Sequence, residues 1–190
     1  MVNWKDIRYL QAGNARQQQA YGTLQALGLW ARLAEFGPVL AGTIPLAIDI
    51  PASDLDVLCE VGPAAQLHFQ RLLTDHYGHL PDFHLTQQII NHQDSITCNF
   101  RYQGTEIEVF GQAVPVAQQW GFRHMLVEYA VLQAGGEPWR QAVRQLKHQG
   151  LKTEPAFAML LQLSGNPYEA LLTLEGKTPE ELHKLMKAVA

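Results

Sequence analysis

Several things are scarce in this chain, and each scarcity narrows the field. No apolar run reaches the roughly 18 residues of a membrane-spanning helix. The N-terminus, Met1-Val2-Asn3-Trp4-Lys5-Asp6, lacks the apolar stretch and cleavage site of a signal peptide. Cytoplasmic residence is therefore the expectation. There are 2 cysteines, Cys59 and Cys98, without CxxC spacing. That argues against a zinc site or a disulfide framework and for reduced core thiols. Basic residues are few: 14 Lys and Arg against 18 Asp and Glu, a net charge of −4. Broad, non-specific binding of nucleic acid relies on Lys and Arg meeting phosphates, so this balance argues against it. No internal repeat or low-complexity tract is visible.

What is present is enough for one medium domain, or a small domain with a helical extension: 190 residues, 47% of them hydrophobic. The charge is unevenly placed. Residues 1–122 carry 6 basic and 11 acidic groups, whereas residues 123–152 carry 5 basic and 2 acidic. An acidic region followed by a basic helical one suits a metal site facing a phosphate-binding surface, and equally suits a solvated helix face.

Local patterns divide the chain in two. Residues 15–36 read as a helix weakened by Gly22 and Gly28 and stopped by Gly37-Pro38. Val39-Leu40-Ala41 reads as a short buried strand entering Gly42-Thr43. Strands are expected over 55–61, 83–91, 95–102 and 105–110, with a helix over 64–77 and a hairpin turn at Asn91-His92-Gln93-Asp94. From Val116 the pattern is helical, with helices expected near 116–134, 138–149, 153–164, 167–174 and 178–189. Thr178-Pro179-Glu180-Glu181 reads as a capped helix start. The expected fold is α+β: a mixed sheet with flanking helices over 1–115, then a C-terminal helical bundle over 116–190.

The chemistry lies in the carboxylates. Phosphoryl and nucleotidyl transfer require divalent metal held where charge develops on phosphate oxygens, and magnesium takes a few carboxylates plus water and substrate oxygens. Asp54 and Asp56 stand at i, i+2 at a strand start and so project to one face. Two acids at the mouth of the apolar run Val57-Leu58-Cys59 are costly to desolvate unless paired or metal-bound. About a dozen residues earlier, Gly42 lets phosphate oxygens approach the backbone and Thr43 offers a hydroxyl. A third acid is expected from a neighbouring strand, where Glu106 and Glu108 share a face.

These residues resemble the polymerase-β-type nucleotidyltransferase superfamily: a Gly-Ser turn, an Asp-x-Asp strand and a third acid on a later strand. Gly42-Thr43 matches the turn, with Thr for Ser, and Asp54 and Asp56 match the pair. Glu108 is taken as the third acid, and spacing leaves Glu106 open. The fuller pattern is similar to an uncharacterised bacterial domain-of-unknown-function family. It is carried by Gly42-Thr43-Ile44-Pro45-Leu46, Ser53-Asp54-Leu55-Asp56-Val57, Glu106-Ile107-Glu108-Val109-Phe110-Gly111-Gln112, Arg123-His124-Met125 and Lys152-Thr153-Glu154-Pro155-Ala156-Phe157-Ala158. The resemblance implies a nucleotidyltransferase-like fold and a Mg2+ (or Mn2+) site on Asp54, Asp56 and Glu108. It supplies no substrate. One departure stands out. Aminoglycoside- and antitoxin-type members usually place a basic residue soon after the turn, whereas Ile44-Pro45-Leu46-Ala47-Ile48-Asp49-Ile50-Pro51 is apolar with one acid.

The helical half offers further candidates. His124 and Glu128 at i, i+4 can pair. With Arg123 they read either as a phosphate-facing acid/base set or as a structural polar contact. Arg140, Arg144, Lys147 and His148 form a basic stripe at helical spacing, suited to a phosphate tail or to solvent. Thr153 is expected as a helix cap, and Lys152 beside it as a nucleotide-phosphate ligand.

The expected function is transfer of a nucleoside monophosphate from a nucleoside triphosphate to an acceptor hydroxyl on a small molecule, a protein or an RNA end. Asp54, Asp56 and Glu108 bind metal, Glu108 also serves as base, and Gly42, Thr43 and Ser53 contact the triphosphate. The alternatives are an inactive nucleotide-binding or regulatory module, motivated by the missing basic residue after Gly42-Thr43, and a toxin–antitoxin component.

Overall fold

The computed structural model describes residues 2–186. After a 3-10 turn at Ile7–Ala12 comes α1 (Ala15–Ala26), which opens on a reciprocal capping box between Asn14 and Gln17. The single helix expected over 15–36 is three pieces: α1, the short α2 (Leu29–Arg32) and a 3-10 turn at Ala34–Phe36. The reason is local. Left-handed Gly28 (φ 64°) makes the first break, Leu33 (φ −93°, ψ 8°) leaves helical geometry at the second, and left-handed Gly37 (φ 57°) ends the last piece.

Five strands follow: β1 (Val39–Ala41), β2 (Leu55–Glu60), β3 (His84–Ile90), β4 (Gln93–Tyr102) and β5 (Thr105–Gln112), with α3 (Gln66–Tyr77) after β2. The sheet order is β1-β2-β5-β4-β3; β2 and β5 run parallel and every other pair is antiparallel. Asn91 and His92, both at positive φ, form a two-residue hairpin between β3 and β4, and Gln103-Gly104 does the same before β5.

Alternation gives the sheet two different faces. Leu55, Val57 and Cys59 of β2, Ile96, Cys98 and Phe100 of β4, and Ile107 and Val109 of β5 are buried in one core with Leu24 of α1 and Phe69, Leu73 and Tyr77 of α3. The Tyr77 ring stacks on Phe100 at 4.9 Å. Both cysteines are buried free thiols, and burial pushes the Cys98 thiol up to about 12. The same alternation sends Asp56, Glu106 and Glu108 to the opposite face.

The helical part begins later than expected. Gln119 is extended (φ −71°, ψ 138°), with its amide donating to the Cys59 and Val114 carbonyls, so α4 starts at Trp120 rather than 116. α4 (Trp120–His148) leaves helical geometry at Gly136 (φ 66°, ψ −154°), two residues before Pro138, which is where a break was expected. α5 (Thr153–Leu160), α6 (Pro167–Leu172) and α7 (Pro179–Leu185) complete the chain as described. The cap of α5 is Lys152, not Thr153. The Thr178–Glu181 capping box is present at α7, and the expected end of that helix at 189 lies outside the described residues. No helix among the described residues is long and apolar enough to cross a membrane.

The chain falls into two compact units. One comprises residues up to Pro45 with Asp54–Gln119; the other comprises Leu46–Ser53 with the chain from Trp120 onward. The fold is thus α+β: a mixed sheet with flanking helices, followed by a helical C-terminal region.

Candidate active site

The acids meet where β2 and β5 run side by side. Asp56 and Glu108 are Cα partners across this parallel pair, and Ala41 is the partner of Asp56 on β1. Both carboxylates lie on the non-core face, half-buried. Asp54 precedes β2 and is near enough for its charge to act on Glu108. Gly42 follows Ala41 at φ 77°, and a Cβ built on it would overlap Asp56 Oδ2. A side chain at position 42 would therefore be strained by the left-handed backbone and would have to displace the carboxylate beside it. Thr43 is half-buried in the bend that Gly42 opens.

Glu106 and Glu108 share a face but have different surroundings. Glu106 is the Cα partner of Arg101, whose Nη2 donates to Glu106 Oε2 at 2.7 Å while its Nε donates to Asp82 at 2.8 Å. Glu106 is thereby tied into an exposed ion pair at the start of β5. Glu108 has no such cation. Burial raises its carboxyl above the usual carboxylate range, and the charges of Asp54 and Glu106 raise it further. A carboxylate held among like charges with no cation is chemistry that a divalent ion would complete. The donor set of Asp54, Asp56 and Glu108 fits Mg2+ or Mn2+ in ligand type. Among the described residues, however, no group of three or more His, Cys, Asp or Glu side chains is placed to hold a metal ion.

The row through the acids continues across the sheet. Glu108 pairs with Asn99 on β4, and Asn99 with His84 on β3. Asn99, half-buried beside Glu108, was missed in reading the sequence. Only the β4–β5 register reveals it, since nothing in the pattern of β4 marks it.

The other expected residues fall as follows. Ser53 locks a turn with Ile50: its Oγ accepts from the Ile50 amide at 3.0 Å, and its own amide donates to the Ile50 carbonyl at 2.9 Å. Lys152 is exposed at the start of α5 in the helical unit. Arg123 donates bidentately to Glu175 at 2.7 and 2.6 Å. His124 is buried, with Nε2 at 2.8 Å from the Tyr168 carbonyl and Nδ1 at 3.6 Å from Glu154 Oε1. Both residues make structural contacts within the helical unit. The basic stripe is likewise engaged: Lys147 is buried, and Arg144 donates to Glu137 at 2.5 Å and to the Ala47 carbonyl at 2.7 Å.

Comparison with known proteins bears on the fold. A family model described as Domain of unknown function (DUF4269) matches residues 22–174. No curated protein matches the sequence. Solved structures that are similar include Cid1 poly(U) polymerase with Mg 3'-dATP bound (TM-score 0.51, 13% identity, 83% of this chain and 48% of that one). The GLD-2/RNP-8 complex gives TM-score 0.53 and 12% identity over 91% of this chain and 66% of that one. The polymerase core of TRAMP, an RNA surveillance complex, gives 0.50 and 11% over 90% and 57%. The chain spans about half the length of the Cid1 structure and no more than 66% of the other two. At these identities the likeness is one of fold.

Proposed function

We propose that this chain, which belongs to the family described as Domain of unknown function (DUF4269), is a metal-dependent nucleotidyltransferase that moves a nucleoside monophosphate from a nucleoside triphosphate to an acceptor hydroxyl. The observation that carries the reading is the pairing of Asp56 with Glu108 across β2 and β5, beside a left-handed Gly42 whose added Cβ would meet the Asp56 carboxylate. The likeness in fold to Cid1 poly(U) polymerase and to the polymerase core of TRAMP supports it.

In this reading Asp54, Asp56 and Glu108 hold Mg2+ (or Mn2+), and the bound ion supplies charge stabilisation at the reacting phosphate. Gly42, Thr43 and Ser53 contact the triphosphate: the bare glycine admits phosphate oxygens to the backbone, and the two hydroxyls donate to them. Glu108 accepts the proton of the acceptor hydroxyl. The acceptor oxygen forms a bond to the α-phosphorus, the bond to the β-phosphate oxygen breaks, and pyrophosphate leaves. The acceptor is a small molecule, a protein side chain or an RNA end.

Isothermal titration with Mn2+ and each nucleoside triphosphate tests the binding half of this proposal. The expected result is binding by wild type and loss of it in the Asp54→Ala/Asp56→Ala variant. Equal binding by both, or none by wild type, would sink the reading. Binding without transfer to any acceptor would leave a regulatory module instead.

A further inference from the structure

The loop between the Gly42-Thr43 turn and Asp54 carries no cation of its own, and the structure shows where one comes from. Two side chains hold consecutive stretches of its backbone. The amide of Gln17, buried in α1, donates to the Ile44 and Pro45 carbonyls at 3.0 and 3.1 Å. Two residues on, Arg144 of α4 donates through Nη1 to the Ala47 carbonyl at 2.7 Å, with Nη2 braced by Glu137. Arg144 lies 97 positions from Ala47 in sequence.

Ala47 is a residue that needs holding. Its φ is 55°, the left-handed region that a Cβ disfavours. Its neighbours Leu46 and Ile48 are buried. Leu46–Ser53 packs as part of the helical unit, and within it the Ser53–Ile50 turn sets the course of the chain up to the Ser53–Asp54 peptide bond. Ala47 is the strained residue of this loop, and a charge-assisted bond at its carbonyl bears directly on the course the loop takes.

We propose that Arg144 is a positioning residue for the loop that enters the site: by holding Ala47 in its left-handed conformation, it fixes the course of the chain that leads to Ser53 and Asp54. The proposal rests on the nucleotidyl-transfer reading for its consequence, though not for its geometry. It also accounts for the departure in the sequence. The positive charge expected in the loop is supplied to its backbone from α4, where its work is to shape the loop rather than to meet phosphate.

The test uses the full chain and four variants, R144M, R144K, A47G and R144M/A47G, with two readouts: hydrogen exchange at the amides of residues 46–53, and titration with Mn2+ plus a non-hydrolysable nucleoside triphosphate. R144M is expected to lose protection in this segment and about tenfold in affinity, the scale of one charge-assisted hydrogen bond. R144K, which keeps one donor, falls between R144M and wild type. A47G alone stays near wild type. In R144M/A47G much of the lost affinity returns, because glycine adopts the left-handed conformation unaided. A generic packing defect at position 144 would not be repaired by a change at 47. Unchanged protection and affinity in R144M, or no recovery in the double variant, would overturn the proposal. If R144M does not fold, R144K carries the test: unaltered protection in R144K with wild-type affinity counts against it. If wild type binds no nucleotide while R144M still loses protection, the transfer reading falls and the hold of Arg144 on the loop stands.

Discussion

Asp56 and Glu108 face each other on the one parallel strand pair of the sheet, Cα partner to Cα partner. Asp56 is also what fills the space beside Gly42. The turn and two of the acids are thus a single contact set built by β1, β2 and β5, and their properties are linked.

Metal should stabilise the fold through these acids. At a Mg2+ or Mn2+ concentration about 100 times the dissociation constant, linkage adds about 2.7 kcal/mol, or about 5–10 °C in Tm for a chain of this size. Differential scanning fluorimetry should show this shift in wild type and not in Asp54→Asn/Asp56→Asn. An equal shift in both would place the ion elsewhere.

Glu108 should be destabilising when ionised. Its carboxyl is raised above 4.5 by burial and by Asp54 and Glu106. A raised carboxyl contributes stability at pH below the unfolded value and loses it as pH climbs through the folded one. Glu108→Gln, neutral at every pH, should therefore match wild type near pH 4 and exceed it at pH 7–8 in metal-free buffer. The expected gain is roughly 0.5–2 kcal/mol, the usual scale for relieving an active-site conflict. Urea melts at the two pH values check it, and a loss of stability at pH 7–8 would contradict the account.

Gly42→Ala should cost more than its backbone alone. Gly104 is the control: its φ is 80°, like the 77° of Gly42, but a Cβ there meets nothing within 4 Å. Gly104→Ala should lose about 1–2 kcal/mol from left-handed strain. Gly42→Ala should lose that and, in addition, displace Asp56, lowering metal affinity. Equal stability losses with metal affinity intact would show that Asp56 moves aside freely.

Arg123 should prove structural. Its bidentate bond holds the Glu175 carboxyl below the usual range. A depressed carboxyl stabilises above its unfolded value and ceases to as pH falls through the folded one, so this contribution should fade as pH falls through and below the ordinary carboxylate range. Arg123→Met should lower stability by about 0.5–1 kcal/mol at pH 7, modest because both groups are partly exposed. Nucleotide affinity should not change. A large loss of affinity with stability intact would instead make Arg123 a ligand.

Much of this architecture can be read along the chain because it is local. Period-2 alternation places Asp56 and Glu108 on a polar face, Gly37-Pro38 ends the first helical region, and Thr178 with Glu181 starts the last helix. What cannot be read depends on partners far apart in sequence. Alternation puts Glu106 and Glu108 on one face and cannot separate them. Register does so, setting Glu106 against Arg101 and Glu108 against Asp56 and Asn99. The assignment of Leu46–Ser53 to the helical unit and the Arg144–Ala47 bond have no local signal at all. The basic stripe on α4 looks solvated in the sequence because helical spacing says nothing of what packs against it.

The most direct test of the central claim is transfer itself. Purified chain is incubated with Mg2+, each α-labelled nucleoside triphosphate and a panel of small-molecule, protein and RNA acceptors, with pyrophosphate release measured in parallel. The account predicts labelled acceptor and stoichiometric pyrophosphate in wild type, reduced by at least about a hundredfold in Asp56→Asn and in Glu108→Gln. Transfer that survives in both variants would contradict it.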